Sequence, residues 1–165
     1  MTDRVLTDRE TVLIERAPAN RVLVVTRRFA APRALVFKAW TEPAQIARWW
    51  GPQGFTTVTH QMDVRLGGAY RFSMRGPAGE VLWKRGVYRE IVPPERLVFT
   101  FAWEDAAGEP GHETVLTITF AEDGDGTLLT LRQAVFDTVA ACEDHRRGWT
   151  SCLERFAGYV EAVHI

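Results

Sequence analysis

A chain of 165 residues is long enough for one domain with a sizeable core and too short for two ordinary ones. Its 46% hydrophobic and 25% charged residues exclude a disordered composition, and a formal net charge of −1 excludes a general electrostatic pull on nucleic acid or an anionic membrane. No run approaches the roughly 18 apolar residues of a membrane-spanning helix, and the charged start MTDRVLTDRETVLIERAP does not suit a secretory signal. These readings lead to the expectation of a cytoplasmic protein with no membrane or nucleic-acid partner.

Residues 1–20 read as an N-terminal arm, with Thr11 to Ile14 as a candidate short strand before the break at Ala17-Pro18-Ala19-Asn20. Arg21 to Phe29 is β-branched and apolar enough for a strand. Ala31-Pro32 opens a short helix whose apolar face is Leu35, Val36, Ala39 and Trp40, because proline suits a first helical turn. Thr41 is the expected cap of a second short helix that runs to Trp49-Trp50 and stops at Gly51-Pro52. The tryptophan pair reads as the closed end of a core rather than a ligand clamp.

From Phe55 the hydrophobic period becomes two. Segments near 55–64, 69–75, 80–92, 96–104, 113–121 and 127–135 read as strands separated by Gly-, Pro- and Asp-rich turns, so an antiparallel meander is expected. With the first strand this makes seven. Tyr70, Phe72 and Met74 share one face, as do Phe99, Phe101 and Trp103, and Leu116, Ile118 and Phe120; the opposite face is rich in Thr and Arg and reads as wet. Trp83 and Tyr88 have opposite parity, which requires a bulge or an exposed ring. Arg71, Arg75, Lys84, Arg85 and Arg89 read as one basic cluster on the solvated outer face.

The last stretch, about Asp137 to Val163, carries apolar residues at Trp149, Cys152, Leu153, Phe156, Tyr159, Val160 and Val163, one stripe of a long helix. Asp137 is its expected N-cap, and Arg147, Glu154, Arg155 and Glu161 fall on the face that suits water. Cys142 and Cys152 are ten residues apart, roughly 15 Å along a helix, too far for a disulfide.

Signatures of catalysis are sparse. His60, His112, His145 and His164 form no metal-ligand spacing, and no Ser or Cys sits in a nucleophile turn. No metal, no cofactor and no catalytic set are expected. Polar candidates for a pocket mouth, should an enzyme exist here, are Asp63, His60 and Gln133. The glycine-rich turns GGAYRF and GDG read as hairpins, since neither joins a strand to a helix N-terminus.

The element order is strand, two short helices, six-strand meander and long terminal helix. It resembles the α+β helix-grip fold of the START-like (SRPBCC, Bet v 1-like) superfamily. The stretches FAAPRALVFKAWTEPAQIARWWGP (Phe29 to Pro52), DVRLGGAYRF (Asp63 to Phe72), GVYREIVPPERLVFTF (Gly86 to Phe101) and Gly148-Trp149 with Leu153 are similar to an AHSA1-type domain, over roughly residues 21–163. The resemblance implies one domain over 21–165, a seven-stranded antiparallel sheet gripping the C-terminal helix, and a pocket between them. It also implies non-enzymatic binding of a small hydrophobic molecule, with Tyr70, Phe72, Phe99, Phe101, Leu116, Ile118, Trp149, Leu153 and Phe156 as wall residues. Two alternatives come with it: a chaperone (Hsp90)-interacting regulator, against which stands the lack of a match to the activator's N-terminal domain, and a cyclase- or hydrolase-type enzyme using the same pocket. The ligand and the oligomeric state, including a homodimer, are left open.

Overall fold

The computed structural model describes residues 19–164. The expected strand at Thr11 to Ile14, and the rest of the arm up to residue 18, lie outside them. A single 3-10 turn, Ala19–Arg21, leads into β1 (Leu23–Phe29), then α1 (Arg33–Thr41) and α2 (Pro43–Trp49). Six strands follow: β2 (Thr56–Met62), β3 (Ala69–Arg75), β4 (Val81–Val92), β5 (Arg96–Trp103), β6 (Thr114–Asp123) and β7 (Gly126–Ala134). The chain ends in α3 (Val139–His164). The strands form one antiparallel sheet in the order β1-β7-β6-β5-β4-β3-β2. The seven antiparallel strands are those expected from the periodicity, and with the terminal helix they make the α+β helix-grip arrangement that the resemblance implied. Among the described residues no helix is long and apolar enough to cross a membrane.

Local chemistry accounts for most boundaries, and in two places differs from the expected caps. Thr41 closes α1 instead of capping α2: its Oγ1 donates to the carbonyl of Phe37, while Pro43 starts α2. For α3 the cap is Thr138 rather than Asp137, with Oγ1 accepting the Ala141 N–H at 3.0 Å. A hydroxyl one residue closer to the helix captures the N–H that Asp137 would have to reach past it.

The register settles the odd parity of β4. Lys84 stands opposite Phe72 on β3 and Trp103 on β5, so it faces inward with Tyr88; Trp83 stands opposite Ser73 and faces outward, and a register shift falls after Tyr88. Lys84 therefore leaves the expected basic cluster. The remaining arginines are less free than expected. Arg71 donates to both oxygens of Glu104 at 2.7 and 2.8 Å and lies 4.0 Å from the Trp83 ring centre; Arg85 also faces Glu104, and Arg89 pairs with Glu113. Arg75 is exposed as expected. These long side chains lie over the outer face near β5, where Val98, Thr100 and Ala102 are buried instead of wet.

Between Arg85↔Ala102 and Tyr88↔Phe99 the β4–β5 pairing lapses. Gly86 explains it: a Cβ there would lie 1.9 Å from the Thr100 carbonyl oxygen and 2.6 Å from the Tyr70 ring. The ring crosses the notch and its hydroxyl donates to Thr100 O at 2.6 Å, while the Thr100 hydroxyl accepts the Val87 N–H. Side chains thus satisfy the backbone groups the ladder leaves unpaired.

The core is centred on Trp40. Its ring lies 4.6 Å from Trp49, 6.0 Å from Trp50, 6.0 Å from Trp149 and 6.1 Å from Phe156, which ties α1, α2 and α3 together. Phe156 also packs edge-on to Phe29 of β1 at 5.0 Å. Cys142 and Cys152 are both buried and free on α3. Two residues assigned to the wet face of α3 instead anchor it. Glu161 accepts the Ala30 N–H at 2.8 Å. Arg155 Nη1 donates to the carbonyl of Phe55 at 2.7 Å and reaches those of Trp50, Gly51 and Pro52 at 3.4 Å, so it gathers the turn after α2. A guanidinium carries five donors in a fixed fork, which lets one side chain serve several carbonyls. Arg155→Met should therefore destabilise the fold by about 1.5–3 kcal/mol, the range for hydrogen bonds to a charged group. Urea denaturation measures it, and a loss under about 0.5 kcal/mol, typical of an exposed position, would show that the carbonyls gain nothing from the side chain.

Candidate functional site

Helix α3 packs closely on β1, α1 and α2. Its N-terminal half touches β5 where His145 meets Trp103 and Phe101, and beside these residues is a cavity of about 460 Å³. This lies in the range of small-molecule sites, about 300–1,000 Å³. Trp50, Gly51, Pro52 and Phe55 wall it from the turn after α2. Met74, Leu82, Lys84, Phe101 and Trp103 wall it from the sheet, and Ala141, Asp144, His145, Gly148, Trp149 and Cys152 from α3.

The turn is shaped by Gly51, whose φ of +102° is rarely adopted by L side chains and whose Cβ would meet Met74 Sδ at 2.9 Å. The Thr57 hydroxyl donates to the carbonyl of Trp50 at 2.7 Å and fixes that end. On the opposite wall, Trp149 Nε1 donates to Gln133 Oε1 at 2.8 Å, and Gln133 Nε2 donates to Thr114 Oγ1 at 2.8 Å. Gln133 is fully buried, so the pair sets the Trp149 ring from inside the sheet. Trp103 Nε1 donates to His145 Nε2 at 2.9 Å, which leaves the imidazole proton on Nδ1.

The electrostatics of the lining follow from burial of its titratable groups. Burial pulls Lys84 down to about 7, opposed only by Cys152. Burial, and then the charge of Lys84, pulls His145 down to about 4, against the opposing charge of Asp144. Burial pushes the Cys152 thiol up to about 11, although Lys84 and Arg155 favour the thiolate. At neutral pH the imidazole and the thiol are therefore uncharged. Asp144 is exposed and paired with Arg147.

Of the nine wall residues expected from the resemblance, Phe101 and Trp149 border this cavity. Tyr70, Phe72 and Phe99 border a separate void of about 10 Å³, the size of one water, beneath Trp40 and Trp50. Leu116, Ile118, Leu153 and Phe156 lie in the packed core and border neither. The structure thus gathers the nine at the helix–sheet interface, six on the sheet and three on α3, but sets only two beside the large space. Trp49 is core, as expected, whereas Trp50 is both core and cavity wall. Of the polar candidates, Gln133 stands behind the wall. His60 is on the outer face, bonded to Ser73 at 2.7 Å and stacked on Trp83, and Asp63 pairs with Arg65. None of the three borders the cavity.

Extending the α3 stripe backward from Trp149 by four residues at a time reaches His145 and Ala141, a signal present in the periodicity. Trp103 shares the parity of Phe101. Lys84 carried no such signal, because Leu82, Trp83 and Lys84 are consecutive and only the register shows which one faces in. Among the described residues no three His, Cys, Asp or Glu side chains group as a metal site.

An antiparallel sheet that holds a long C-terminal helix, with an apolar cavity at one end of their interface, defines a helix-grip protein. The profile of the family described as "Activator of Hsp90 ATPase homolog 1-like protein" matches residues 30–161, and the chain belongs to that family. Among solved structures, a Chromobacterium violaceum protein is similar at 30% identity and TM-score 0.79, covering 86% of this chain and 97% of its own. The AHSA1 protein from Silicibacter pomeroyi is similar at 26% identity and TM-score 0.80, covering 87% and 99%. A Mycobacterium smegmatis protein at 22% identity and TM-score 0.75, covering 88% and 91%, shares the fold. No curated protein matches the chain.

Two measurements probe the site. Gln133→Leu removes the acceptor of the Trp149 indole and the donor to Thr114, so it should cost about 1–3 kcal/mol for each buried group left unpaired; a neutral effect in urea denaturation would mean that the pair does not hold the wall. The second uses pH. His145 has a folded value of about 4 against about 6.5 when unfolded. As pH falls through that window the unfolded chain binds a proton that the folded chain does not, so stability drops. His145→Gln keeps an acceptor for Trp103 and should flatten the fall in urea midpoint between about pH 6.5 and 4. Parallel profiles for the two proteins would remove His145 from the account.

Proposed function

We propose that this protein binds a small, mainly apolar molecule, without chemical turnover, in the cavity between the N-terminal half of α3 and strands β3 to β5. The observation that carries this reading is the cavity of about 460 Å³ walled by the rings of Trp50, Phe55, Phe101, Trp103 and Trp149. Rings fixed by hydrogen bonds at Trp103 (part-buried) and Trp149 (buried) give a preformed wall, which lowers the ordering cost of binding. The lining chemistry supports binding over turnover. The thiol of Cys152 is held in its protonated form, and the acceptor nitrogen of His145 is occupied by Trp103. The expected pocket wall is accordingly narrowed to Phe101 and Trp149, with Trp50, Phe55, Trp103 and Met74 joining them.

Ligands that bind only the folded state stabilise it by about 2.7 kcal/mol at a hundredfold excess over Kd. A thermal-shift screen of fatty, sterol-like and aromatic compounds should therefore raise Tm for at least one of them. Gly148→Leu tests the location. Gly148 is a cavity-lining position of α3, and its Cβ would meet only Pro52 Cγ, at 4.0 Å. Leucine there should stabilise the unliganded helix by up to about 1 kcal/mol and fill the space, abolishing the ligand's shift. An undiminished shift in Gly148→Leu would place binding elsewhere. A screen without any shift, together with a pull-down of Hsp90 and a change in its ATPase rate, would favour the regulator reading over this one.

A further inference from the structure

Lys84 is the one lining residue that an apolar cargo does not explain. It is 3% exposed, on the middle of β4, with its ammonium turned toward the cavity. Its contacts are Met74 Sδ at 3.0 Å and cation–π contacts to the rings of Trp50, Trp103 and Phe101, 4.9, 4.9 and 5.6 Å from Nζ, which favour the charge but offer no strong hydrogen-bond acceptor. A thioether is a weak acceptor, and an ammonium carries three donors, so most of its hydrogen-bonding capacity is unused. Among the described residues no carboxylate forms an ion pair with it. The other titratable groups facing it are Cys152 and His145, and Asp144 at the exposed rim is engaged by Arg147. A buried charge without a counter-ion or strong acceptor is costly. Core packing alone would be served better by leucine or methionine at this position.

We propose that Lys84 is the anchor for an anionic head group, and that the molecule bound in this cavity is an amphiphilic carboxylic acid whose apolar body lies against the aromatic wall. This deepens the proposed binding function and rests on it. A carboxylate at Nζ supplies the acceptors that the protein withholds and restores the charge that burial suppresses. Desolvation inside the aromatic enclosure strengthens that pair relative to the same contact in water. Because burial holds the free protein's Lys84 near 7, an arriving carboxylate raises it, and binding above neutral pH takes up a proton.

The test compares matched probes by isothermal titration calorimetry: decanoate with 1-decanol, and 1-naphthylacetate with 2-(1-naphthyl)ethanol. In the unmodified chain the acid of at least one pair should bind tenfold or more tighter than its alcohol. Titrations of that acid at pH 8 in buffers of different ionisation enthalpy should show net proton uptake. In Lys84→Met the advantage of the acid over its matched alcohol should vanish. Acid and alcohol binding equally well in the unmodified chain overturns the role of Lys84 and leaves apolar binding standing. Failure of all four probes to bind overturns the cavity reading itself. The acid–alcohol comparison in the unmodified chain needs no variant, so the proposal stays falsifiable if Lys84→Met does not fold.

Discussion

How close α3 can come to the sheet is limited by five aromatic rings. Trp40, Trp49, Trp50, Trp149 and Phe156 form a continuous cluster, with Trp49 and Phe156 only 4.5 Å apart. Each ring buries a large apolar surface, and edge-to-face contacts fix relative orientation more tightly than aliphatic packing does. The cluster joins the C-terminal half of α3 to α1, α2 and β1, where packing is dense. It leaves the N-terminal half standing over β4 and β5 at the distance those rings allow. The cavity is the consequence: one end of the helix is clamped and the other is propped.

Hydrogen bonds convert this crude spacing into a shaped wall. Arg155 draws the turn after α2 onto α3, Trp149 is set by Gln133 and Trp103 by His145. In each case a long side chain from one element satisfies a buried group on another, so the rings at the cavity are not free to collapse into it. A buried indole with a bonded N–H resists rotation, since turning it away would leave both partners unpaired in a dry interior. Burial keeps His145 and Cys152 uncharged and makes Lys84 an electrostatically expensive residue. The site therefore combines a rigid apolar enclosure with one misplaced cation, a combination that packing alone does not favour.

The outer face of the sheet shows a different solution to a buried charge. Glu104 has a side chain only 2% exposed, yet Arg71 binds it through two hydrogen bonds and holds its carboxyl below the usual carboxylate range. There the protein supplies the counter-ion itself. At Lys84 no carboxylate among the described residues does so, and a thioether and three aromatic rings surround the ammonium instead.

Period and spacing were sufficient for the architecture. The alternation of Tyr70 with Phe72, the turns at Gly67-Gly68 and Gly76 to Gly79, and the three-and-four spacing from Trp149 to Val163 each report a local geometry that the backbone obeys whatever surrounds it. They yielded seven antiparallel strands, two short helices and one long one, the inner sheet face that carries Phe101 and the helix stripe that carries Trp149. Helix caps were less legible, since Thr138 and Asp137 are both able to cap and only the chain's path selects between them. What tertiary structure alone decided was where the inner face is filled and where it is empty. Leu116 and Phe101 carry the same strand signature, but one is packed by neighbouring elements and the other faces space, because the aromatic cluster closes only one end of the helix–sheet interface. Lys84 was hidden for the same reason. A lysine between a tryptophan and an arginine reads as surface, and its inward direction follows from the pairing of β4 with Phe72 and Trp103, partners 12 and 19 residues away.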